Sequence, residues 1–160
     1  HGSCFWKTKK GGWAFLAILP NREVIANGGL RNTSVGRCEL IALIKLLERF
    51  KDTQFFMEVY VDSQYVVFLL LKNWLHNWIR TGAIKDKKNQ DLLLKLWEIY
   101  INFYQNRLSL IWTRGHTSNQ TIGAQGNFIV DKLCNYKNNF VLIEDDCNNN
   151  QKFVSYVKKN

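Results

Sequence analysis

The chain has 160 residues, 46% of them hydrophobic, which predicts one globular domain with a proper core. It contains no apolar run near the roughly 18 residues of a membrane span and no charged-then-apolar opening, which argues against a membrane protein and a secretory signal. Its 22 Lys plus Arg against 13 Asp plus Glu give a net charge of +9. That charge favours a polyanionic partner, although a soluble basic protein without such a partner is the alternative.

The cysteines show no paired spacing, which predicts reduced thiols rather than a disulfide framework or a zinc site. They are Cys4, Cys38, Cys134 and Cys147. Reduced thiols indicate an intracellular protein, in a compartment that the sequence does not identify. The first residue is not Met, which is compatible with a piece of a longer protein.

The first half of the chain predicts a hairpin followed by a helix. Residues 13–19 and 23–28 are rich in aromatic and branched side chains and are separated by Pro20-Asn21, which is typical of two strands and a turn. Residues 37–50 carry apolar residues at i, i+3, i+4 and i+7, the spacing of one buried helix face. Glu39 is predicted in the first turn of this helix, where the helix dipole alone would explain a carboxylate.

Asp62 lies where a predicted strand ends and a helix begins. The segment before it is apolar and aromatic, the segment from Val66 to Leu71 is apolar, and Ser63 is a plausible N-cap. Ligands bind at the carboxyl ends of strands in open α/β sheets, so Asp62 is a candidate functional residue. The alternative is that Asp62 only caps the helix.

The second half predicts further helices around one more strand. Trp74 and Trp78 are four residues apart and share a helix face. After a basic loop over residues 81–88, residues 89–104 predict a long helix whose inward positions include Phe103, and residues 107–113 predict a strand. A polar loop over 114–125 precedes a helix from residue 126, and this order of elements favours a mixed sheet covered by helices.

An ordered set of short motifs resembles type 1 ribonuclease H, the family that cuts the RNA strand of RNA:DNA hybrids. The family has Asp-Gly-Ser-Cys, six residues and Gly-Gly, where this chain has His1-Gly2-Ser3-Cys4 and Gly11-Gly12. The other matching segments are Arg37-Cys38-Glu39-Leu40, Val61-Asp62-Ser63-Gln64-Tyr65-Val66, Trp74 with Trp78, Asn89-Gln90-Asp91-Leu92, Gly115-His116, and Gly126-Asn127 through Asp131 and Leu133.

The resemblance implies an α/β, ribonuclease H-like fold with a central mixed five-stranded sheet flanked by helices. It covers residues 1–135 and leaves 136–160 as a C-terminal extension of unknown structure. By this resemblance Glu39, Asp62 and Asp131 would hold Mg²⁺ or Mn²⁺, and His116 would join them as a catalytic residue. Carboxylate oxygens are the ligands that Mg²⁺ prefers, and two such ions hold the attacking and leaving oxygens in this type of cleavage.

His1 departs from the family at the carboxylate that bridges both metal ions. A neutral imidazole binds through one nitrogen and cannot bridge two hard cations. His-Gly-Ser also occurs as a cloning remnant, but the six-residue spacing from Cys4 to Gly11-Gly12 argues against that origin. Lys7, Val35 and Gly36 also replace the Asn residues that read the hybrid in the family.

The positions that the resemblance assigns to nucleic acid are basic, polar or aromatic, apart from one cysteine. They are Cys4, Lys7, Arg37, Trp74, Trp78, Lys85, Lys87, Lys88 and Asn89. Such a set suits contacts to phosphates and base faces, while core packing is the alternative for the two Trp residues. The expected partner is RNA:DNA hybrid or duplex RNA, within a ribonucleoprotein assembly and without a membrane.

Three functions stay open on the sequence alone. The first is a catalytically degenerate domain that binds hybrid or structured RNA. The second is an active Mg²⁺-dependent endoribonuclease, or an inactivated form of one. The third is a protein-interaction or connection domain that has lost both activities.

Overall fold

The computed structural model describes residues 1–113 and 122–145, with only the backbone of residues 122–124. The strands are β1 (Gly2–Phe5), β2 (Lys10–Ile18), β3 (Glu23–Arg31), β4 (Met57–Val61), β5 (Leu108–Trp112) and β6 (Leu142–Glu144). The α-helices are α1 (Val35–Arg49), α2 (Gln64–Leu71), α3 (Trp74–Thr81), α4 (Gln90–Ile99) and α5 (Ile122–Leu133), with a 3-10 turn at Ala83–Asp86. Within these described ranges, every helix is too short or too polar to cross a bilayer.

The strands form two hydrogen-bonded sheets rather than one. A four-stranded sheet has the order β1-β2-β3-β6, antiparallel except for the parallel pair β3 and β6, and β4 pairs with β5 in parallel. This arrangement confirms the predicted α/β class but corrects the single five-stranded sheet. The short β1 forms its ladder with β2 along all four of its residues, while β4 and β5 pair through the backbone groups on their facing edges.

Helix α1 starts two residues before the predicted position and packs its apolar face into the core. The Ser34 side chain caps the helix by accepting a hydrogen bond from the Arg37 backbone N–H. Leu40 and Leu47 are fully buried, as the spacing predicts. Because the helix begins at Val35, Glu39 falls in its second turn, and the helix dipole no longer explains that carboxylate.

A π-helical turn over Tyr100–Tyr104 ends α4 and shifts the residues that face inward. Tyr104 is fully buried and its hydroxyl donates to the Leu47 carbonyl at 2.6 Å, whereas Phe103 is 39% exposed. The prediction that Phe103 faces the core is therefore wrong. A π-helical turn contains one more residue than an α-helical turn, so the positions that face the core shift by one residue from those predicted by α-helical spacing.

Arg37 is part of a buried charge cluster, which corrects its assignment to nucleic acid. Its guanidinium donates to both carboxylate oxygens of Asp91, at 2.7 and 2.6 Å, and to both oxygens of Asp145, at 2.8 to 2.9 Å. Arg37 is 3% exposed, and its donors are used inside the fold. Burial alone lowers the pKa of Arg37, but the hydrogen bonds that it donates to Asp91 and Asp145 raise the pKa overall, so the group stays charged.

Asp145 attaches residues 136–145 to the sheet. Its backbone N–H donates to the Arg31 carbonyl, and its carboxylate also accepts from the Thr33 hydroxyl at 2.7 Å. Strand β6 thereby extends the sheet beside β3. The division between a domain of residues 1–135 and an extension of 136–160 stays a prediction.

Candidate functional site

Asp62 follows the carboxyl end of β4, as predicted, and does not cap α2. The cap is Ser63, whose side-chain oxygen accepts from the Val66 backbone N–H. The Asp62 carboxylate instead faces His1, with Oδ2 only 2.8 Å from the imidazole Nδ1. The alternative that Asp62 serves as a helix cap is therefore wrong.

His1 lies at the centre of the site, beside the start of β1. Its backbone nitrogen donates to the Ala14 carbonyl at 2.9 Å, which continues the pairing of β1 with β2. The other ring nitrogen, Nε2, lies 2.8 Å from Asp131 Oδ1. One imidazole thus stands between the carboxylates of Asp62 and Asp131.

Gly2 allows β1 to approach α1 closely enough to bring His1 to Glu39. A Cβ atom on Gly2 would lie 2.5 Å from both the Cys38 carbonyl carbon and the Glu39 backbone nitrogen. With hydrogen at that position, ligand atoms of His1, Glu39 and Asp62 all lie within 4.8 Å of one another. The site therefore depends on a backbone contact that only glycine permits.

Gly2→Ala is expected to destabilise the fold by about 1–3 kcal/mol, because rigid backbone atoms of α1 block the added methyl group. Urea unfolding monitored by circular dichroism measures the change. Gly36→Ala is the matched control: its Cβ comes no closer than 3.6 Å to Asn89, and alanine favours the helix by about 0.5–1 kcal/mol. Equal effects of the two substitutions would contradict the close approach.

Burial and like charge both act on the carboxyl groups of the site. Burial, and then the neighbouring Asp62 carboxylate, raise the pKa of Glu39, against the opposing influence of His1 and the Ser63 hydroxyl. Burial lowers the pKa of His1, but the contacts with Asp62 and Asp131 outweigh it and raise the pKa overall. The arrangement therefore favours a positive charge between the carboxylates.

Helix α5 contributes Asp131 and, one turn later, the buried Cys134. Ligand atoms of His1, Asp131 and Cys134 form a second group within 4.8 Å. The thiol donates to the Asp131 carbonyl at 3.5 Å, and burial raises the pKa of Cys134 to about 12. The thiol therefore stays protonated in this environment.

Two buried polar atoms of the site lack a hydrogen-bond partner among the described residues. They are His1 Nδ1 and Asp62 Oδ1. Nδ1 is close to Asp62 Oδ2 but is not aligned for a hydrogen bond. Unpartnered atoms at this depth are costly, which indicates an interaction that the protein alone does not complete.

Sequence reasoning missed Ser3, which joins β1 to the end of α5. Its hydroxyl donates to the Cys134 carbonyl at 2.7 Å and accepts from the Tyr136 backbone N–H at 2.8 Å. The available signal is its place in the first motif, between Gly2 and Cys4. The structure brings Glu39, Asp62 and Asp131 together around His1, while His116 lies outside the described residues.

The residues predicted to contact nucleic acid lie partly on an aromatic and basic surface formed by α2, α3 and the 3-10 turn. Trp74 and Trp78 stack with ring centroids 6.1 Å apart, and Tyr65 packs against both. The Lys87 ammonium group lies 4.3 Å from the Trp78 ring centre, a cation–π contact, while Lys85 and Lys88 are exposed. The two Trp residues are half-buried, so they both pack and present an edge to solvent.

The remaining predicted contacts differ in exposure. Lys7 is exposed in the turn between β1 and β2, where its ammonium group lies 5.5 Å from the Trp6 ring centre. The Cys4 thiol is half-buried and donates to the Thr33 carbonyl at 3.6 Å. Asn89 precedes α4 in a left-handed conformation, with its side chain half-buried.

Comparison with known proteins gives one consistent family. The model of the RNase H family matches residues 1–138. A ribonuclease H of Oleidesulfovibrio alaskensis is 33% identical over 72% of this chain and 75% of its own length, and one of Legionella pneumophila is 33% identical over 84% and 90%.

Solved structures agree on the fold. The RNase H domain of prototype foamy virus superposes with a TM-score of 0.66 at 20% identity, over 83% of this chain and 87% of that domain. The protease-reverse transcriptase of the same virus gives a TM-score of 0.61 at 18% identity over 78% of this chain, which spans only 19% of that longer protein. These two likenesses support the fold alone.

Proposed function

Because the chain belongs to the ribonuclease H family, we propose that it is a nucleic-acid-binding domain that holds RNA:DNA hybrid or duplex RNA without cleaving it. The observation that carries this proposal is the position of His1. Its ring lies 2.8 Å from carboxylate oxygens on both sides, where cleavage by two metal ions needs a bridging oxygen ligand.

The site does not suit a pair of magnesium ions. A bridging carboxylate offers one hard oxygen to each ion, whereas a neutral imidazole offers one nitrogen lone pair. The Nε2 atom of His1 is already engaged by Asp131. Glu39, Asp62 and Asp131 therefore lack the shared ligand that a two-magnesium centre requires.

The proposed binding surface consists of the aromatic cluster of Tyr65, Trp74 and Trp78 and the neighbouring lysines. Exposed ammonium groups at Lys85 and Lys88 suit phosphate contacts, and Lys7 adds a charge from the turn between β1 and β2. Lys87 lies over the Trp78 ring and combines a charge with an aromatic face. Such contacts hold a nucleic-acid backbone with little sequence preference.

The test is affinity as a function of salt concentration on RNA:DNA hybrid, duplex RNA and duplex DNA. Binding should weaken steeply with salt, because each neutralised phosphate releases about one counterion. Replacing Lys85, Lys87 and Lys88 together by Ala should reduce the slope of log affinity against log salt by up to about three units. Exchanging Lys45, Lys51 and Lys95 by Ala is the matched control, since these lysines lie on α1, in the turn after α1 and on α4, respectively, and it should leave most of the slope intact.

Two outcomes would overturn the proposal. Absence of binding to all three duplexes near physiological salt would favour a domain that docks protein partners, within a ribonucleoprotein assembly or elsewhere. Cleavage of hybrid at an ordinary enzymatic rate in Mg²⁺ or Mn²⁺, abolished by Asp62→Asn, would favour the second candidate function. That candidate, an active endoribonuclease, draws support from the convergence of Glu39, Asp62 and Asp131.

A further inference from the structure

The geometry around His1 points to a site for a single borderline divalent cation, with Zn²⁺ as its probe, held by His1 Nδ1 and the carboxylates of Glu39 and Asp62. Ligand atoms of these three residues lie within 4.8 Å of one another. One ion with ligands at about 2.0–2.2 Å brings its donors to about 3–4 Å from each other, so small side-chain adjustments suffice. This inference does not depend on nucleic-acid binding.

The contact at the other ring nitrogen, Nε2, supports metal binding at Nδ1. Asp131 Oδ1 lies 2.8 Å from Nε2, and an ionised carboxylate only accepts hydrogen bonds, so Nε2 carries the proton in this contact. A histidine that binds a metal usually donates its other N–H to a carboxylate, which fixes the tautomer and orients the ring. Asp131 takes this supporting position for His1.

The unpartnered atoms lie on the opposite side of the ring. With the proton on Nε2, the Nδ1 lone pair points toward the anionic Asp62, 2.8 Å away, which is unfavourable without a positive charge between them. Nδ1 and Asp62 Oδ1 both lack hydrogen-bond partners within the described part of the chain. One cation bound to Nδ1 and to the Asp62 carboxylate would resolve both problems.

The donor set decides the class of ion. One imidazole and two carboxylates suit Zn²⁺ and its transition-metal neighbours, whereas Mg²⁺ prefers oxygen ligands alone. The alternative position beside Asp131 and Cys134 is less suited, because the Cys134 thiol already donates to the Asp131 carbonyl and the Asp131 carboxylate is engaged by Nε2 of His1. The site thus differs in both ion number and ion class from a two-magnesium centre.

The experiment is calorimetric titration of the whole chain, freed of metal, with Zn²⁺ and separately with Mg²⁺, without nucleic acid. We expect about one Zn²⁺ per chain and at least about 100-fold weaker binding of Mg²⁺. Titration with Co²⁺ gives a second readout, since visible absorption bands of a nitrogen- and oxygen-coordinated ion should appear with the same stoichiometry.

Variants distinguish the ligands at Nδ1 from the groups at Nε2. Glu39→Gln and Asp62→Asn should each weaken Zn²⁺ binding by about 100-fold or more, and Asp131→Asn by about 10–100-fold, because a supporting carboxylate contributes less than a ligand. Cys134→Ser and the exposed control Glu23→Gln should each change the Zn²⁺ affinity by less than about threefold. That change is smaller than the loss of affinity expected when a supporting group is removed.

Each contrary result is informative. If Cys134→Ser lost Zn²⁺ binding and Glu39→Gln retained it, the ion would lie beside Nε2, with Asp131 and Cys134, and the assignment would be overturned. Absence of Zn²⁺ binding in a parent chain that is folded by circular dichroism would also overturn it, because His1, Glu39 and Asp62 would then hold no ion. Nucleic-acid affinity, measured separately, tests the proposed function and is not affected by either outcome.

Discussion

His1→Asp should give the chain hybrid cleavage in Mg²⁺ that exceeds that of the parent by about 10³-fold or more. A carboxylate at this position supplies the oxygen ligand shared by two ions, and the resulting clamp on both oxygens of the displacement stabilises the transition state by several kcal/mol. Each 1.36 kcal/mol corresponds to about a tenfold change in rate. Single-turnover cleavage of a labelled RNA:DNA hybrid measures the gain.

The control for this substitution is the double variant His1→Asp with Asp62→Asn, which should return to the level of the parent. The parent itself should show little or no cleavage in Mg²⁺ or Mn²⁺. If the His1→Asp variant is folded and binds hybrid but does not cleave it, the interpretation that His1 is the main defect would be contradicted. The other departures, at Lys7, Val35 and Gly36, would then prevent cleavage as well.

Arg37→Ala should lower the free energy of unfolding by about 3–5 kcal/mol, because it leaves the Asp91 and Asp145 carboxylates buried without their cation. The measurement is urea unfolding at neutral pH. Arg31→Ala is the matched control, since Arg31 also contacts the segment around β6 but pairs with Glu144 at the surface. An exposed pair of that kind contributes at most about 1 kcal/mol.

If Arg37→Ala and Arg31→Ala had equal effects, the charge cluster would not hold the fold as its geometry indicates. Where Arg37→Ala does not accumulate as folded protein, Asp145→Asn offers a milder test. It keeps the pairing of Arg37 with Asp91 and weakens the contacts of the Asp145 side chain with Arg37 and Thr33. Its unfolding free energy should lie between those of the parent and Arg37→Ala.

The sequence predicts the site better than the sheet. The place of Asp62 after a strand and the Ser63 cap follow from local spacing, whereas the convergence of Glu39 and Asp131 on His1 follows from the resemblance to the ribonuclease H family. Strand pairing is set by long-range hydrogen bonds, and no local pattern distinguishes one five-stranded sheet from the two sheets observed.

The errors also have local physical causes. The π turn after α4 inserts a residue and exchanges Phe103 for Tyr104 at the core, and the sequence carries no mark of such a turn. From the sequence, Arg37 is predicted to contact nucleic acid, but in the structure it is paired with Asp145, a residue far along the chain. Charged residues are rarely buried without partners, and distant partners are not visible in a linear reading.

The contact between Arg37 and Asp145 also affects the order in which the domain is completed during synthesis, because 108 positions separate the two residues. Until residue 145 has been synthesised, Arg37 has at most Asp91 as a counter-ion in this cluster. The outer edge of β3, later covered by β6, meanwhile exposes unpaired backbone groups that favour association with other chains. The nascent domain is therefore most vulnerable to aggregation in the interval before residue 145 emerges.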